Sequence, residues 1–182
     1  MLPTPIRLQP SDAERYTRLR LRMLLDAPRA FGASPEADKG LDLAHLRKTL
    51  AGDDHAIFAV EEPQGGGRVA ARGEADLIAA AGIMRNTLPK FRHRASIWGV
   101  FVEATYRRRG LGRAVMTAAL DFARTWPGVD YIDLGASERA DEALRLYESL
   151  GFVPWGRQPE ATDIDGRRYD EIHMTLRLTH SR

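Results

Sequence analysis

At 182 residues, with 43% hydrophobic and 29% charged side chains, the chain has the balance of a globular domain and lies well away from the compositions that stay disordered. It contains no cysteine, which excludes disulfide stapling, thiolate zinc sites and a cysteine nucleophile. The formal charge is +2, and among 27 basic side chains only Lys39, Lys48 and Lys90 are lysines, so arginine with its planar, phosphate-matching fork dominates wherever cations cluster.

Residues 6–8 read as a short strand, and Pro10, Ser11 and Glu14 announce a helix, with Ser11 and Glu14 at capping-box spacing. Tyr16, Leu19 and Met23 space its buried face. Residues 26–40, DAPRAFGASPEADKG, hold Pro, Gly, Ser and Asp around one exposed-looking aromatic, Phe31, and so form a loop. Leu43, Leu46 and Leu50 predict a short second helix that closes near Gly52.

Residues 55–61 and 77–85 are apolar, partly β-branched runs separated by EEPQGGGRVAARGEAD, the pattern of a long hairpin with Gly65, Gly66 and Gly67 at its tip. Those glycines lack the following Lys and Ser or Thr of a P-loop. Residues 96–102, SIWGVFV, are the most strand-like segment. After a basic, glycine-bearing turn, Leu111, Val115, Ala118, Phe122 and Trp126 recur at helical steps until Pro127 and Gly128. Residues 131–134 supply the next strand, so this unit has the strand–helix–strand form of a parallel crossover.

A further helix runs over about 140–150 with Ala143, Leu146, Tyr147 and Leu150 on one face. Gly151 is placed as its left-handed cap and Phe152 folds back on Tyr147 or Leu146. Residues 152–155 and 169–178 close the order as strands. The predicted fold is a single α/β domain over residues 1–182, with a mixed, mostly antiparallel sheet of about six or seven strands and helices on both faces.

Residues 100–112, VFVEATYRRRGLG, are where the sequence becomes specific. An apolar strand ends, a basic turn follows, and two glycines spaced by one residue open an amphipathic helix. Such a turn exposes backbone N–H groups at the positive end of a helix dipole, a ready seat for a phosphate or pyrophosphate. Gly110 and Gly112 permit close approach, and Arg107, Arg108, Arg109 and Arg113 attract a polyanion. A dinucleotide fingerprint would want a third glycine where Val115 stands. A nucleic-acid patch would bring neighbouring aromatics or a reading helix, so nucleic acid is not an expected partner. A solvated charge run would leave the two glycines without a purpose.

The run Arg107-Arg108-Arg109-Gly110-Leu111-Gly112 resembles motif A of the GNAT superfamily, Arg/Gln-x-x-Gly-x-Gly/Ala. The likeness continues in ADEALRLYESLGF at 140–152, similar to the family's A-x-x-L-Y-x-x-x-G-F, and more loosely in LRLRMLLDAPRAFGAS at 19–34. The resemblance implies an acetyl-CoA-dependent N-acetyltransferase that needs no metal. It implies that main-chain groups of Val100, Phe101 and Val102 hold the pantetheine arm, that amides from Arg108 through Arg113 hold the pyrophosphate, and that residues 97–102 and 131–134 splay apart to form the thioester slot. Tyr147, otherwise a core aromatic, becomes the general acid that protonates the departing thiolate. A backbone amide at the end of the 100–102 strand polarises the carbonyl.

Glu103, His93 and Asp133 are candidates for the general base, with a water chain as the alternative. Many members carry Asn at the position of Ala140, a departure that removes one pantetheine contact. The acceptor is an amine whose identity is set by residues 26–40, the glycine-rich hairpin and residues 156–168. The alternative from another class is an acyl-CoA-binding sensor without turnover. A monomer or homodimer is expected. No apolar run approaches the roughly 20 residues of a membrane span, and the opening MLPTPIRLQP has neither a basic nor an apolar leader region, which makes the cytoplasm the expected compartment.

Overall fold

The computed structural model describes residues 3–28, 30–63 and 75–179. Seven strands form one sheet: β1 (Ile6–Arg7), β2 (His55–Glu61), β3 (Leu77–Arg85), β4 (Arg94–Val102), β5 (Tyr131–Ser137), β6 (Val153–Ile164) and β7 (Arg167–Arg177). Their order is β1-β2-β3-β4-β5-β7-β6, and every neighbouring pair is antiparallel except β4 with β5. The helices are α1 (Ala13–Asp26), α2 (Leu43–Ala51), α3 (Leu111–Ala123) and α4 (Asp141–Ser149). The predicted order of elements holds throughout. Among the described residues no helix is long and apolar enough to cross a membrane.

Two cores lie on opposite faces of the sheet. Ala56, Phe58 and Val60 of β2 face α3 and its Val115, Met116 and Leu120, whereas Ile57 and Ala59 face Tyr16, Leu19 and Met23 of α1 and Leu46 and Leu50 of α2. Burial on both faces explains why β2 and β3 read as unbroken apolar runs rather than alternating ones.

Several boundaries differ from expectation for identifiable reasons. The chain enters α1 through a 3₁₀ turn, Pro10–Asp12, and the group that secures the entry is Asp12 rather than Ser11 with Glu14. The Asp12 carboxylate accepts from the Gln9 N–H at 2.8 Å and binds Arg15 at 2.9 Å, both side chains being buried. Helix α3 ends at Ala123, short of Pro127, and Trp126 is held in the following turn by donating its indole N–H to the Asp53 carbonyl at 2.9 Å.

The largest correction concerns residues 156–168, expected as an acceptor-selecting loop. They are mostly strand, because β6 and β7 meet at a two-residue turn, Asp165-Gly166, with φ of 53° and 76°. That is the turn geometry Asp-Gly favours in hairpins. The glycines 65–67 lie outside the described residues.

Candidate functional site

The parallel pair β4–β5 is joined only at Arg94 with Tyr131, Ala95 with Ile132 and Ser96 with Asp133. Beyond Ser96 the two strands part. A β-bulge at this point turns β4 away: Trp98 opposes Gly82 and Phe101 opposes Ala80, so Gly99 and Val100 together face one residue of β3, and Gly99 takes φ 61°. The opening holds a cavity of about 80 Å³ lined by Trp98, Gly99 and Val100 of β4, Gly135 of β5, Tyr147 of α4 and Phe31 of the α1–α2 loop.

Tyr147 reaches this cavity from α4. Its ring meets Phe152 edge-on at 6.1 Å, and the Phe152 N–H donates to the Tyr147 carbonyl at 3.1 Å, with Gly151 at φ 94° making the turn between them. The residue is only 6% exposed, and burial pushes its hydroxyl up to about 12 from the usual 10. The hydroxyl therefore keeps its proton throughout the physiological range.

The glycine turn stands at the far end of the opening. Gly110 caps α3 with φ 79°, Arg108 before it also takes a left-handed φ of 60°, and among the described residues no side chain caps the helix. A Cβ on Gly112 would stand 3.2 Å from Leu146 and 3.6 Å from Val102, so this glycine also lets α3 close against α4 and the end of β4. The four arginines are not equivalent. Arg107 is folded back, donating to the Val102 carbonyl at 3.0 Å and binding Asp26 at 2.6 Å. Arg109 lies over the Tyr106 ring and Arg113 donates to the Ser149 hydroxyl at 2.6 Å. Arg108 projects into solvent, 3.6 Å from Glu142.

Val100 lines the slot and Val102 touches the glycine turn, while the Phe101 side chain points to the opposite core beside Phe31. Phe31, expected on an exposed loop, is half-buried: its ring lies 6.4 Å from Phe101 and under the Arg20 guanidinium at 4.9 Å. It both anchors its loop and walls the cavity. Ala140 lines the cavity at the start of α4 without a capping side chain.

None of the three base candidates lines the cavity. Glu103 binds Arg22 at 2.5 Å, Asp133 is held by two nitrogens of Arg94, and His93 packs on Tyr131 just before the closed end of the parallel pair. A carboxylate that motif reading missed, Glu171, does not line the cavity either but lies against Gly135, which does. A side chain at Gly135 would collide with Glu171, whose carboxylate rests on that glycine beside the slot, with His173 Nε2 3.9 Å away. Strand alternation could have placed both on one face of β7, but their register with Gly135 is a long-range fact.

A mostly antiparallel sheet parted at one parallel pair, with a glycine-opened helix beside the gap, is the architecture of acetyltransferases that use acyl thioesters. A phosphinothricin acetyltransferase from Sinorhizobium meliloti in complex with AcCoA superimposes with a TM-score of 0.79 at 16% identity, over 98% of this chain and 89% of that one, a likeness of fold. A family model described as "Acetyltransferase (GNAT) family" matches residues 24–152, and the chain belongs to that family. By sequence it is 39% identical over 99 residues to the N-alpha-acetyltransferase RimI of Mycobacterium tuberculosis, 54% of this chain and 59% of that protein. It is 32% identical over 88 residues to the L-amino acid N-acyltransferase MnaT of Escherichia coli, 48% of this chain and 50% of that protein. The chain thus spans about half the length of the curated relatives it matches.

Proposed function

We propose that the chain is an N-acetyltransferase that moves the acetyl group of acetyl-CoA to an amine, with residues 1–182 acting as one catalytic unit. The observation that carries this is the slot between β4 and β5, walled on one side by a buried, proton-bearing tyrosine and ending at an uncapped helix start. The named relatives, which include an N-alpha-acetyltransferase and an L-amino acid N-acyltransferase, support the reaction class.

The residues present fit a thioester of this kind. Among the described residues the edge of β4 beyond Ser96 has no strand beside it, so those main-chain groups of Val100, Phe101 and Val102 that point to this edge can take an extended arm in strand-like fashion. The amides of Arg108 through Arg113 at the positive end of α3 suit a pyrophosphate, with Gly110 and Gly112 keeping side chains out of the way. Acetyl-CoA supplies an acyl group already activated as a thioester, and needs no metal. The Tyr147 hydroxyl supplies the proton that a departing thiolate requires, which as general acid catalysis contributes about 10²- to 10⁴-fold. The Glu171 carboxylate, with His173 behind it, draws a cationic amine to the rim and offers its proton a way out.

A cytoplasmic monomer or homodimer fits this reading. The test is thiol release from acetyl-CoA against a panel of amines, with mass spectrometry of the products and calorimetry of acetyl-CoA binding. Acetylated product from at least one amine is expected. Saturable acetyl-CoA binding with no thiol release across the panel would replace the enzyme with an acyl-CoA sensor.

A further inference from the structure

The loop that joins α1 to α2 supplies one wall of the slot through Ala30 and Phe31, yet little of its own backbone fixes it there. Among the described residues, the main-chain hydrogen bonds of this loop close on the loop itself, Ala30 on Ala27, Ala37 on Ser34 and Leu41 on Asp38. A side chain of α1 ties it to the body. Arg20 reaches Asp38 near the far end of the loop, with Nη2 at 2.6 Å and Nε at 3.2 Å from one carboxylate oxygen and both side chains 7% exposed. The other Asp38 oxygen accepts from the Gly40 N–H at 2.7 Å, so the carboxylate passes the grip of Arg20 on to the turn that leads into α2.

The same guanidinium meets the cavity wall. Its carbon lies 4.9 Å over the Phe31 ring, within cation–π range, while Phe101 stands beside that ring at 6.4 Å. A Cβ at Gly99 would stand 3.6 Å from Nη1, so Arg20 also packs into the space this glycine leaves at the β4 bulge. Arg20 does not itself line the cavity, but Phe31 and Gly99, two residues it packs against, both do. A planar fork can grip a carboxylate along its edge and lay its face on a ring at once, whereas an ammonium is a point charge without a face. The desolvation of a buried pair largely cancels its attraction, so net stability does not account for this one.

We propose that Arg20 is a positioning residue for the acceptor: held by Asp38, it fixes the α1–α2 loop against the β4 bulge, so that Phe31 stands as the wall on which the acceptor docks. This role rests on the acetyl-transfer reading and adds to it the residue that sets the acceptor wall. Arg20 and Asp38 act on the loop and the bulge. The proposed cofactor seat at 107–113 is held by other partners, namely Asp26 for Arg107, Ser149 for Arg113 and the Tyr106 ring for Arg109. A loosened clamp therefore weakens the acceptor and spares acetyl-CoA.

Arg20→Lys keeps a positive charge opposite Asp38 and removes the fork. In the thiol-release assay it should raise the acceptor KM about tenfold, while acetyl-CoA affinity by calorimetry stays within about twofold of wild type. Asp38→Asn, which keeps an oxygen for the Gly40 N–H, should do the same from the other side of the pair. The readout that a merely structural role would not move is coupling to Phe31. If Arg20 acts through that ring, adding Arg20→Lys to Phe31→Ala should raise the acceptor KM by less than about twofold more. Effects that multiply, or an acceptor KM unmoved by Arg20→Lys, overturn the proposal while the enzyme stands. Limited trypsin digestion reads the clamp without turnover. The bond after the exposed Lys39, whose N–H Asp38 holds, should be cut at least about threefold faster in Arg20→Lys and in Asp38→Asn, well below their melting temperatures. If wild type releases no thiol with any amine, this digestion decides: faster cutting after Lys39 in both variants supports the clamp, and equal cutting in either overturns it.

Discussion

Replacing Tyr147 by phenylalanine isolates one oxygen. The ring stays against Phe152, the helix face stays filled, and only a hydroxyl that burial already holds near 12 is lost. If that hydroxyl protonates the leaving thiolate, kcat should fall ten- to a thousandfold, or about 1.4 to 4 kcal/mol of barrier at 1.36 kcal/mol per decade. Stability should hardly move. For a chain of this length about 1 kcal/mol corresponds to about 2 to 4 °C, so the melting temperature of Tyr147→Phe should stay within about 2 °C of wild type, whereas Tyr147→Ala, which empties the core position, should lower it by about 10 °C. The pH dependence follows from the direction of the shift. The folded hydroxyl titrates above the ordinary value, so the neutral form and its contribution are complete below about pH 10 and are lost only as pH rises through about 12. The wild-type kcat should therefore stay level from pH 8 to 10. Steady-state kinetics with the best amine, with acetyl-CoA affinity by calorimetry as control, decide the matter. A Tyr147→Phe enzyme that turns over like wild type refutes the proton-donor role.

Further outcomes follow from the same geometry. Gly112→Asp should abolish acetyl-CoA binding measured by calorimetry, since it brings a negative charge into the first turn of α3 and forces its side chain past Leu146 and Val102; Gly112→Ala should weaken it less, because its Cβ meets Leu146 at 3.2 Å and only that side chain must shift. A folded Gly112→Asp protein with unchanged affinity would displace the seat from the 107–113 turn. Phe31→Ala should raise the acceptor KM more than the acetyl-CoA KM, because the ring walls the cavity, and also cost a few degrees of melting temperature, because it packs on Phe101. Glu171→Gln should lower kcat/KM for cationic amines by about tenfold or more with acetyl-CoA affinity retained; an equal rate for the variant would remove Glu171 from the acceptor's path.

The order of elements and the parallel crossover were legible because each strand or helix of this fold announces itself locally. The α3 stripe of Leu111 and Val115, the Gly151–Phe152 turn and the paired glycines at 110 and 112 need no partner elsewhere in the chain to be read. The failures have the opposite character. Asp12 displaces Ser11 at the α1 entry because the buried Arg15 needs a carboxylate there, and Arg15 is itself fixed by the Ala75 carbonyl and Glu61. Asp165-Gly166 was a readable hairpin signal, but β6 carries Pro154, Gly156 and Pro159, which break the pattern of a strand and disguise its length.

The acceptor side was the least legible part, and glycine shows why. Gly82 lies under the Trp98 indole, Gly99 opens toward Tyr16 and Arg20, and Gly135 lies under the Glu171 carboxylate. Each marks a position where β3, β4 or β5 must admit a side chain from another element, and each sits in a strand, where a glycine read alone suggests only weakness. The identity of the incoming side chain depends on register across three strands and on α1. No local pattern carries that information, since a shift of one residue would send Trp98 or Glu171 to the other face. The proposed cofactor seat is a continuous turn, residues 107–113, whose contribution would be mostly main chain. The rest of the opening is lined from β4, β5, α4 and the α1–α2 loop, so its walls come from segments far apart in the chain. In this chain Gly99 of β4 stands against Tyr16 and Arg20 of α1 while Gly135 of β5 stands against Glu171 of β7, and neither juxtaposition can be read from one segment alone.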